Sequence, residues 1–454
     1  MQIIHSQVAI IDKVIGKQKC QNDENFRLLS YVKKLVVKDG ILLYNVLTRC
    51  MVLLDKNEYV SILNIPLLKE LWFVVPSDFQ DKDFCNQLKK LAKLLLNNKQ
   101  VRDSYVIFTT TDCNAHCFYC YERGRKRIHM SQKVAEDTAN YIIKKSAGRN
   151  VYISWFGGEP LYNINAIDTI SRLLNSAGIE FFSRTASNGY LFDDDVVNRC
   201  VKLWHLDAVQ ISLDGSEEIY NKTKAYIYKD VNPFEIVLNN IGKLLNAGVG
   251  VSIRLNVSSR NQLDLEKLVD IIHEKFANNE KLTIYSHALF ESTGYKGDDT
   301  EKSKEKNFIS RNKIRAKIEK YGYSKKIGIP NNLCLNHCMA DNDSSYSINT
   351  TGNLGKCYLY SDNEFCGSIY DENINQKVIN RFKERVPEIL ECEKCCYYPD
   401  CISLKMCGDE KTCDKFWREE RLYKIKSQML GTYNLFLNKQ QINEDENDEF
   451  EVQC

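Results

Sequence analysis

The stretch YVIFTTTDCNAHCFYCYE, residues 105–122, sets an apolar run directly before three cysteines. Residues 105–111 have the β-branched and aromatic make-up of a buried strand. Cys113, Cys117 and Cys120 follow in the spacing C-x3-C-x2-C, on the loop that leaves that strand. Three thiolates in so short a run can hold three irons of a [4Fe–4S] cube, and they leave the fourth iron without a protein ligand. An open iron can bind another molecule. The spacing therefore points to chemistry at the cluster, since ordinary cluster sites and structural zinc sites close with four ligands.

Downstream, strand-like and helix-like segments alternate. A helix is predicted over 131–146 with Ser131 as its N-cap, then a strand at 151–157 and a helix near 165–177. A strand near 180–187 precedes a helix at 193–204, and AVQISLDG (208–215) precedes a helix at 234–246 opened by Pro233. GVSIRLNVS (250–258) is followed by a helix at 263–277, and LTIYSHALF (282–290) by a charged helix within 302–321. Six strand–helix units in succession predict a parallel sheet wrapped by helices, as a partial (β/α)6 barrel or as an open doubly wound sheet. In both, ligands sit at the C-terminal ends of the strands. The cysteine loop and the motifs that follow the next strands then share one rim.

The first hundred residues lack this rhythm. Residues 31–54 read as a hairpin or meander with Asp39-Gly40 as a turn, and helical stretches follow near 56–63 and 83–97, which predicts a small α+β domain. The chain has 454 residues, 43% of them hydrophobic, enough for two or three domains. Its 62 basic and 60 acidic residues give a net charge of +2, so nothing points to nucleic-acid binding. No apolar run is long enough to span a membrane, and the start has no signal-peptide pattern. A cytoplasmic location is expected, and the acidic end, 440–454, is expected to be disordered.

Eighteen cysteines in a long, Lys- and Glu-rich chain point to metal binding over a disulfide scaffold. Three lie in 113–120, ten in 334–413 and five are scattered, so there are two metal-rich zones. The other motif beside the first zone is Gly157-Gly158-Glu159-Pro160 at the end of the second strand. Two glycines allow close backbone approach to a ligand, and the carboxylate can accept from an ammonium group. Trp155 and Phe156 before them read as packing aromatics, and His116 and His129 as structural or solvated.

With the cysteine loop, this motif resembles the radical S-adenosylmethionine (radical SAM) superfamily over roughly residues 100–320. The resemblance implies that Cys113, Cys117 and Cys120 hold a [4Fe–4S] cluster and that Gly157, Gly158, Glu159 and Pro160 hold the amino-acid end of S-adenosylmethionine. Tyr119 would lie near adenine. One electron from the cluster would cleave the cofactor, and the resulting 5′-deoxyadenosyl radical would take a hydrogen atom from the substrate. Asn188, in Ser187-Asn188-Gly189, and Ser212 and Asp214, in Ser212-Leu213-Asp214-Gly215, resemble positions on the cofactor-facing rim. Relatives that modify peptides carry an arginine ten residues after this Asp, where the present chain has Lys224. That lysine either makes one charged contact with the cofactor carboxylate or is solvated.

The second zone resembles the SPASM extension of peptide-modifying radical SAM enzymes, which binds two auxiliary [4Fe–4S] clusters. By that resemblance Cys334, Cys338, Cys357 and Cys407 would hold one cluster, and Cys392, Cys395, Cys401 and Cys413 the other. The usual step after the third cysteine of the latter run is three residues, but five separate Cys401 from Cys407, and Cys396 and Cys366 are rivals for that place. Eight cysteines also suffice for two all-thiolate zinc sites. Of the remaining cysteines, Cys20, Cys50, Cys85, Cys200 and Cys454, Cys200 reads as a core residue.

The resemblance thus implies an α/β fold: a partial (β/α)6 TIM-like barrel with a small N-terminal α+β domain and a C-terminal iron–sulfur SPASM extension. The expected divisions are 1–100, a 101–325 core, a 326–430 auxiliary-cluster domain and a 431–454 tail. The expected function is modification of a ribosomally made precursor peptide, forming thioether cross-links from core cysteines. It would use S-adenosylmethionine, three [4Fe–4S] clusters and an external one-electron donor such as flavodoxin or ferredoxin. In the family, similar extensions resemble winged-helix leader-recognition domains; here the three-helix part is incomplete, and residues 1–104 would either help dock the leader by strand addition or merely cap the open barrel. The alternatives are an anaerobic sulfatase-maturing, formylglycine-generating enzyme and a non-catalytic iron–sulfur or zinc-binding interaction protein.

Overall fold

The computed structural model describes residues 1–6, 25–96, 103–120, 122, 124–277, 279–289, 301–323, 328–330, 338–358, 364–371, 373–382, 390–401, 413 and 415–451. Contacts divide the chain into two units. The first comprises residues 1–100, 326–338 and 384–454, and the second 101–325 and 339–383.

The N-terminal part of the first unit holds β1 (Gln2–His5), β2 (Phe26–Leu28), β3 (Val32–Val37), β4 (Gly40–Asn45), β5 (Met51–Leu54) and β6 (Val74–Pro76). An antiparallel sheet runs β1-β5-β4-β3, and β2 pairs with β6. Its helices are α1 (Lys56–Val60), α2 (Pro66–Glu70) and α3 (Asp81–Leu96). Asp55 and Glu58 form a capping box at the start of α1. The meander is as predicted, but its tight turn is Lys38-Asp39, because Gly40 already pairs with Val37.

The second unit carries the predicted alternation: β7 (Asp103–Thr110), α4 (Gln132–Ser146), β8 (Val151–Gly157), α5 (Ile164–Ser176), β9 (Phe181–Ser187), α6 (Asp194–Lys202) and β10 (Leu206–Leu213). Then come α7 (Glu217–Lys224), α8 (Pro233–Asn246), β11 (Gly250–Val257), α9 (Gln262–Phe276), β12 (Leu282–Ala288) and α10 (Glu301–Lys320). Ser131 caps α4 by accepting from the Val134 N–H at 3.3 Å, as its position predicts. Strand β7 is buried along nearly its whole length, which requires apolar residues on both faces.

Strands β7 to β12 are all parallel and lie side by side in chain order. A doubly wound sheet reverses its order at a switch point, so this succession decides for the partial barrel. Among the described residues the sheet does not close on itself.

The expected separate 326–430 domain is divided between the two units. β13 (Ser345–Ile348) pairs in parallel with β7, and β14 (Asn353–Gly355) and β15 (Phe365–Ser368) extend the same sheet before α11 (Gln376–Arg381). The first unit ends in α12 (Lys415–Glu451), whose Ile425, Met429 and Tyr433 enter the core of the N-terminal meander. The acidic end expected to be disordered continues this helix as far as Glu451, since each further residue adds a hydrogen bond to an existing helix. Cys454, like Cys20, lies outside the described residues. Among the described residues no helix is long and apolar enough to cross a membrane.

Candidate active site

The C-terminal ends of β7, β8, β9 and β10 bring the motifs to one rim of the second unit. At the end of β7, the Asp112 N–H donates to Thr110 Oγ1 at 2.9 Å as the chain enters the cysteine loop. The far side of the loop is held by the segment after α7. The His116 N–H donates to the Lys224 carbonyl at 2.9 Å, and the Ile227 N–H donates to the Asn114 carbonyl at 3.0 Å. The Cys120 N–H donates to the Cys117 carbonyl at 3.2 Å and tightens the turn. Cys113 Sγ receives the Ala115 N–H at 3.4 Å and Asn188 Nδ2 at 3.9 Å. Burial, then the charge of Glu159, pushes the Cys113 thiol up to about 12, and burial also raises Cys117. Three neighbouring thiols with N–H groups aimed at a sulfur suit an iron–sulfur cluster, whose irons would displace their protons.

Gly157 and Gly158 end β8. A Cβ on Gly157, whose φ is +134°, would lie 2.0 Å from the Thr110 carbonyl oxygen, and one on Gly158 would lie 2.3 Å from that of Asp112. The close approach that requires glycine is therefore to the cysteine loop and the strand beneath it, where the sequence reading assigned it to a ligand. The Gly158 and Glu159 N–H groups donate to these same carbonyls at 3.0 and 2.9 Å.

Glu159 is buried. Its Oε1 accepts from the Leu161 N–H at 3.2 Å and the Ser187 hydroxyl at 2.9 Å, and Oε2 accepts from the Asn188 N–H at 2.7 Å. A carboxylate offers about four acceptor positions, so one on Oε2 is left for an ammonium donor. Burial pushes this carboxyl up to about 7. Pro160 opens a short 3-10 turn, Pro160–Asn163, and its carbonyl accepts from Thr109 Oγ1 at 2.9 Å. Asn188 Nδ2 donates to Asn114 Oδ1 at 2.6 Å, joining the end of β9 to the cysteine loop.

Lys224 is 2% exposed, so the solvated alternative does not hold. Its Nζ donates to Ser212 Oγ at 2.7 Å and Tyr119 Oη at 3.0 Å, and stands 3.0 Å from Asp214 Oδ2. The Tyr119 hydroxyl donates to Asp214 Oδ2 at 2.7 Å, and Asn256 Nδ2 donates to Asp214 Oδ1 at 2.7 Å. All three N–H bonds of the ammonium group thus have protein oxygens within reach. Despite its burial, Lys224 is held well above its usual range by Asp214 and Tyr119.

Sequence reasoning missed helix α7, which delivers Lys224, and it missed Asn256, Asn114 and the Tyr220 and Tyr226 hydroxyls that meet the Asn188 carbonyl. A signal for α7 was present in Ser216-Glu217-Glu218, a capping residue before an acidic first turn. The polar Asn256 in an otherwise apolar strand was another.

In the first unit, the thiols of Cys395 and Cys413 are raised chiefly by burial. Cys401 and Cys392 add to both, and Cys395 also to Cys413. Cys392, Cys395, Cys401 and Cys413 therefore share one neighbourhood. Among the described residues, no three His, Cys, Asp or Glu side chains are gathered as tightly as one metal ion requires. A four-iron cube spreads its thiolates more widely than zinc, with its sulfurs about 2.3 Å from a single centre. Burial pushes the Cys396 thiol up to about 11, with the charge of Cys395 adding to the rise and that of Lys33 opposing it. Cys366 is buried in the core of the second unit with its thiol donating to the Leu354 carbonyl at 3.3 Å. Cys200 is buried on α6, as expected of a core residue. Cys338 belongs to the first unit and Cys357 to the second, while Cys334 and Cys407 lie outside the described residues.

Residues 107–272 match the family model of the radical SAM superfamily. A GTP 3′,8-cyclase of Rhodopirellula baltica is 27% identical over 189 residues, 40% of this chain and 49% of that protein. The radical SAM cyclopropyl synthase TigE of Paramaledivibacter caminithermalis is 21% identical over 322 residues, 60% of this chain and 66% of that protein. The chain thus spans less than two thirds of either relative. Among solved structures, native anSMEcpe with bound AdoMet and Cp18Cys peptide is similar in fold, with a TM-score of 0.55 and 17% identity over 74% of this chain and 99% of that one. The matched stretch runs from within β7 into α9 and contains the cysteine loop, Gly157–Pro160, Asn188, Ser212, Asp214 and Lys224. Residues 107–272 therefore carry a radical SAM superfamily domain, a family whose members are enzymes that use S-adenosylmethionine and a [4Fe–4S] cluster.

Proposed function

We propose that this chain is a peptide maturase that forms thioether cross-links from cysteines of a ribosomally made precursor. The observation that carries the peptide reading is the edge of the first unit's antiparallel sheet, which among the described residues ends at β3. Lys33, Lys34 and Leu35 of this strand line a groove together with Leu422, Lys426 and Met429 of α12. A lysine-lined groove along an edge strand suits an extended acidic leader segment, added as a further strand. The peptide bound to the similarly folded anSMEcpe supports the reading.

With the cluster and cofactor bound, one electron from a donor such as flavodoxin or ferredoxin supplies a radical that abstracts hydrogen. Cys113, Cys117 and Cys120 would hold the cluster. Glu159 Oε2 would take the cofactor's ammonium group, and Gly157, Gly158 and Pro160 seat that segment under the cysteine loop. Tyr119 and Asn188 line the rim, and Ser212, Asp214 and Lys224 fix Tyr119 from behind. Cys392, Cys395, Cys401 and Cys413 would hold one auxiliary cluster, and a second is implied by the sequence resemblance alone. Each cross-link removes a hydrogen atom from a substrate carbon and a proton from a cysteine thiol. It forms one S–C bond and releases one further electron, for which an auxiliary cluster would serve as acceptor.

The test is co-expression with the Cys-rich open reading frame beside the gene. A loss of about 2 Da per modification, two hydrogens, with the cysteine no longer alkylatable, is expected. Unchanged mass with deuterium uptake would mean epimerisation, and a hydrazide-reactive aldehyde would mean formylglycine; either would sink the thioether reading.

A further inference from the structure

Arg49 is fully buried and adopts a left-handed backbone, φ +62°, in the turn between β4 and β5. Its Nη1 donates to Asp400 Oδ2 at 2.9 Å and its Nη2 to Asp400 Oδ1 at 2.6 Å, a two-pronged pair across 351 residues of sequence. Nη1 also donates to the Tyr44 hydroxyl at 3.1 Å. Asp400 is the residue before Cys401. The turn that carries it, Tyr398–Asp400, is gripped twice more. Tyr31 stacks on Tyr398 with ring centroids 6.0 Å apart, and the Tyr398 hydroxyl donates to Asn86 Oδ1 at 3.3 Å. All these residues belong to the first unit.

A buried guanidinium fork on a carboxylate fixes both partners in orientation as well as distance. Neither charge can move away alone without being left unpaired in the core. We infer that Arg49 is a positioning residue for the cluster site of Cys392, Cys395, Cys401 and Cys413: through Asp400 it sets the place of Cys401. The N-terminal meander is then part of the scaffold of that cluster, and the cluster in turn orders the meander. The inference rests on the reading of these four cysteines as the ligands of one cluster.

Two measurements on the full-length chain test it. In the wild-type protein, amide exchange over residues 40–54 is compared with and without anaerobic iron–sulfur reconstitution. Slowing of about tenfold or more on reconstitution is expected, and unchanged exchange would overturn the coupling. In a Cys113→Ala/Cys117→Ala/Cys120→Ala background, which removes the radical SAM cluster, about eight irons per chain are expected. Adding Arg49→Lys, which keeps the charge and loses the fork, is expected to leave about four, with one of two auxiliary EPR signatures gone. Eight irons retained with both signatures would reject a positioning role for Arg49. A background that binds no iron would instead reject the reading of the auxiliary clusters themselves.

Discussion

Replacing Lys224 with methionine keeps most of the side chain's volume and removes its charge. The ammonium group has Asp214, Ser212 and Tyr119 as partners. Without it, Asp214, 2% exposed, keeps only the Tyr119 and Asn256 donors. Leaving a buried charge without its counter-ion costs about 3–5 kcal/mol. Against a total stability of about 5–15 kcal/mol, the domain stays folded but loses a large share of its margin. At a urea m-value of about 3 kcal/mol/M, the midpoint falls by about 1–1.7 M. Trp155 and Trp204 are both buried in the core of this unit and report its unfolding by fluorescence in the iron-free protein. Adding Asp214→Asn to Lys224→Met removes the orphaned charge, so the double variant is expected to be more stable than the single. A midpoint shift below about 0.3 M for Lys224→Met, or a double variant at the sum of the two single losses, would refute the reasoning.

Gly158→Ala drives a Cβ against the Asp112 carbonyl and displaces the cysteine loop, so reconstitution is expected to give about eight irons where the wild type takes about twelve. Iron analysis checks this. Burial holds Glu159 at about 7 against a usual 4.5, so between these values the folded chain keeps a proton that the unfolded chain has lost. The stability from this group is complete below pH 4.5 and is lost as pH rises through 7, about 3 kcal/mol in all. Denaturation of the iron-free protein at several pH values measures it, and the slope is expected to vanish in Glu159→Gln. Lys34→Glu with Lys426→Glu reverses charge along the β3 groove. Affinity for a labelled acidic leader is expected to fall at least about tenfold by fluorescence anisotropy, and no change would remove the groove as the docking edge.

The barrel was legible because each strand from β7 to β12 is an apolar run followed by a helix with a readable start, such as Ser131 or Pro233. Strand order was not legible, since sequence periodicity is the same for a barrel and a doubly wound sheet; pairing decided it. The cysteine loop and Gly157–Pro160 stood out because their residue types are unusual. The partners of those residues did not, because Thr110, Asp112 and Asn256 carry no distinctive pattern alone. Lys224 was ambiguous in a polar stretch, and only the C-terminal end of α7 explains its burial beside Asp214. The fate of residues 326–430 was hidden for the same reason. β13 joins β7 through backbone hydrogen bonds, and Arg49 meets Asp400 across 351 residues.

On the proposed function, Cys113, Cys117 and Cys120 would hold the cluster at which S-adenosylmethionine is cleaved. The direct measurement is the release of 5′-deoxyadenosine and methionine from S-adenosylmethionine by the anaerobically reconstituted, dithionite-reduced protein. Release by the wild type and none by Cys117→Ala is expected. An iron-loaded wild type that leaves S-adenosylmethionine intact would contradict it.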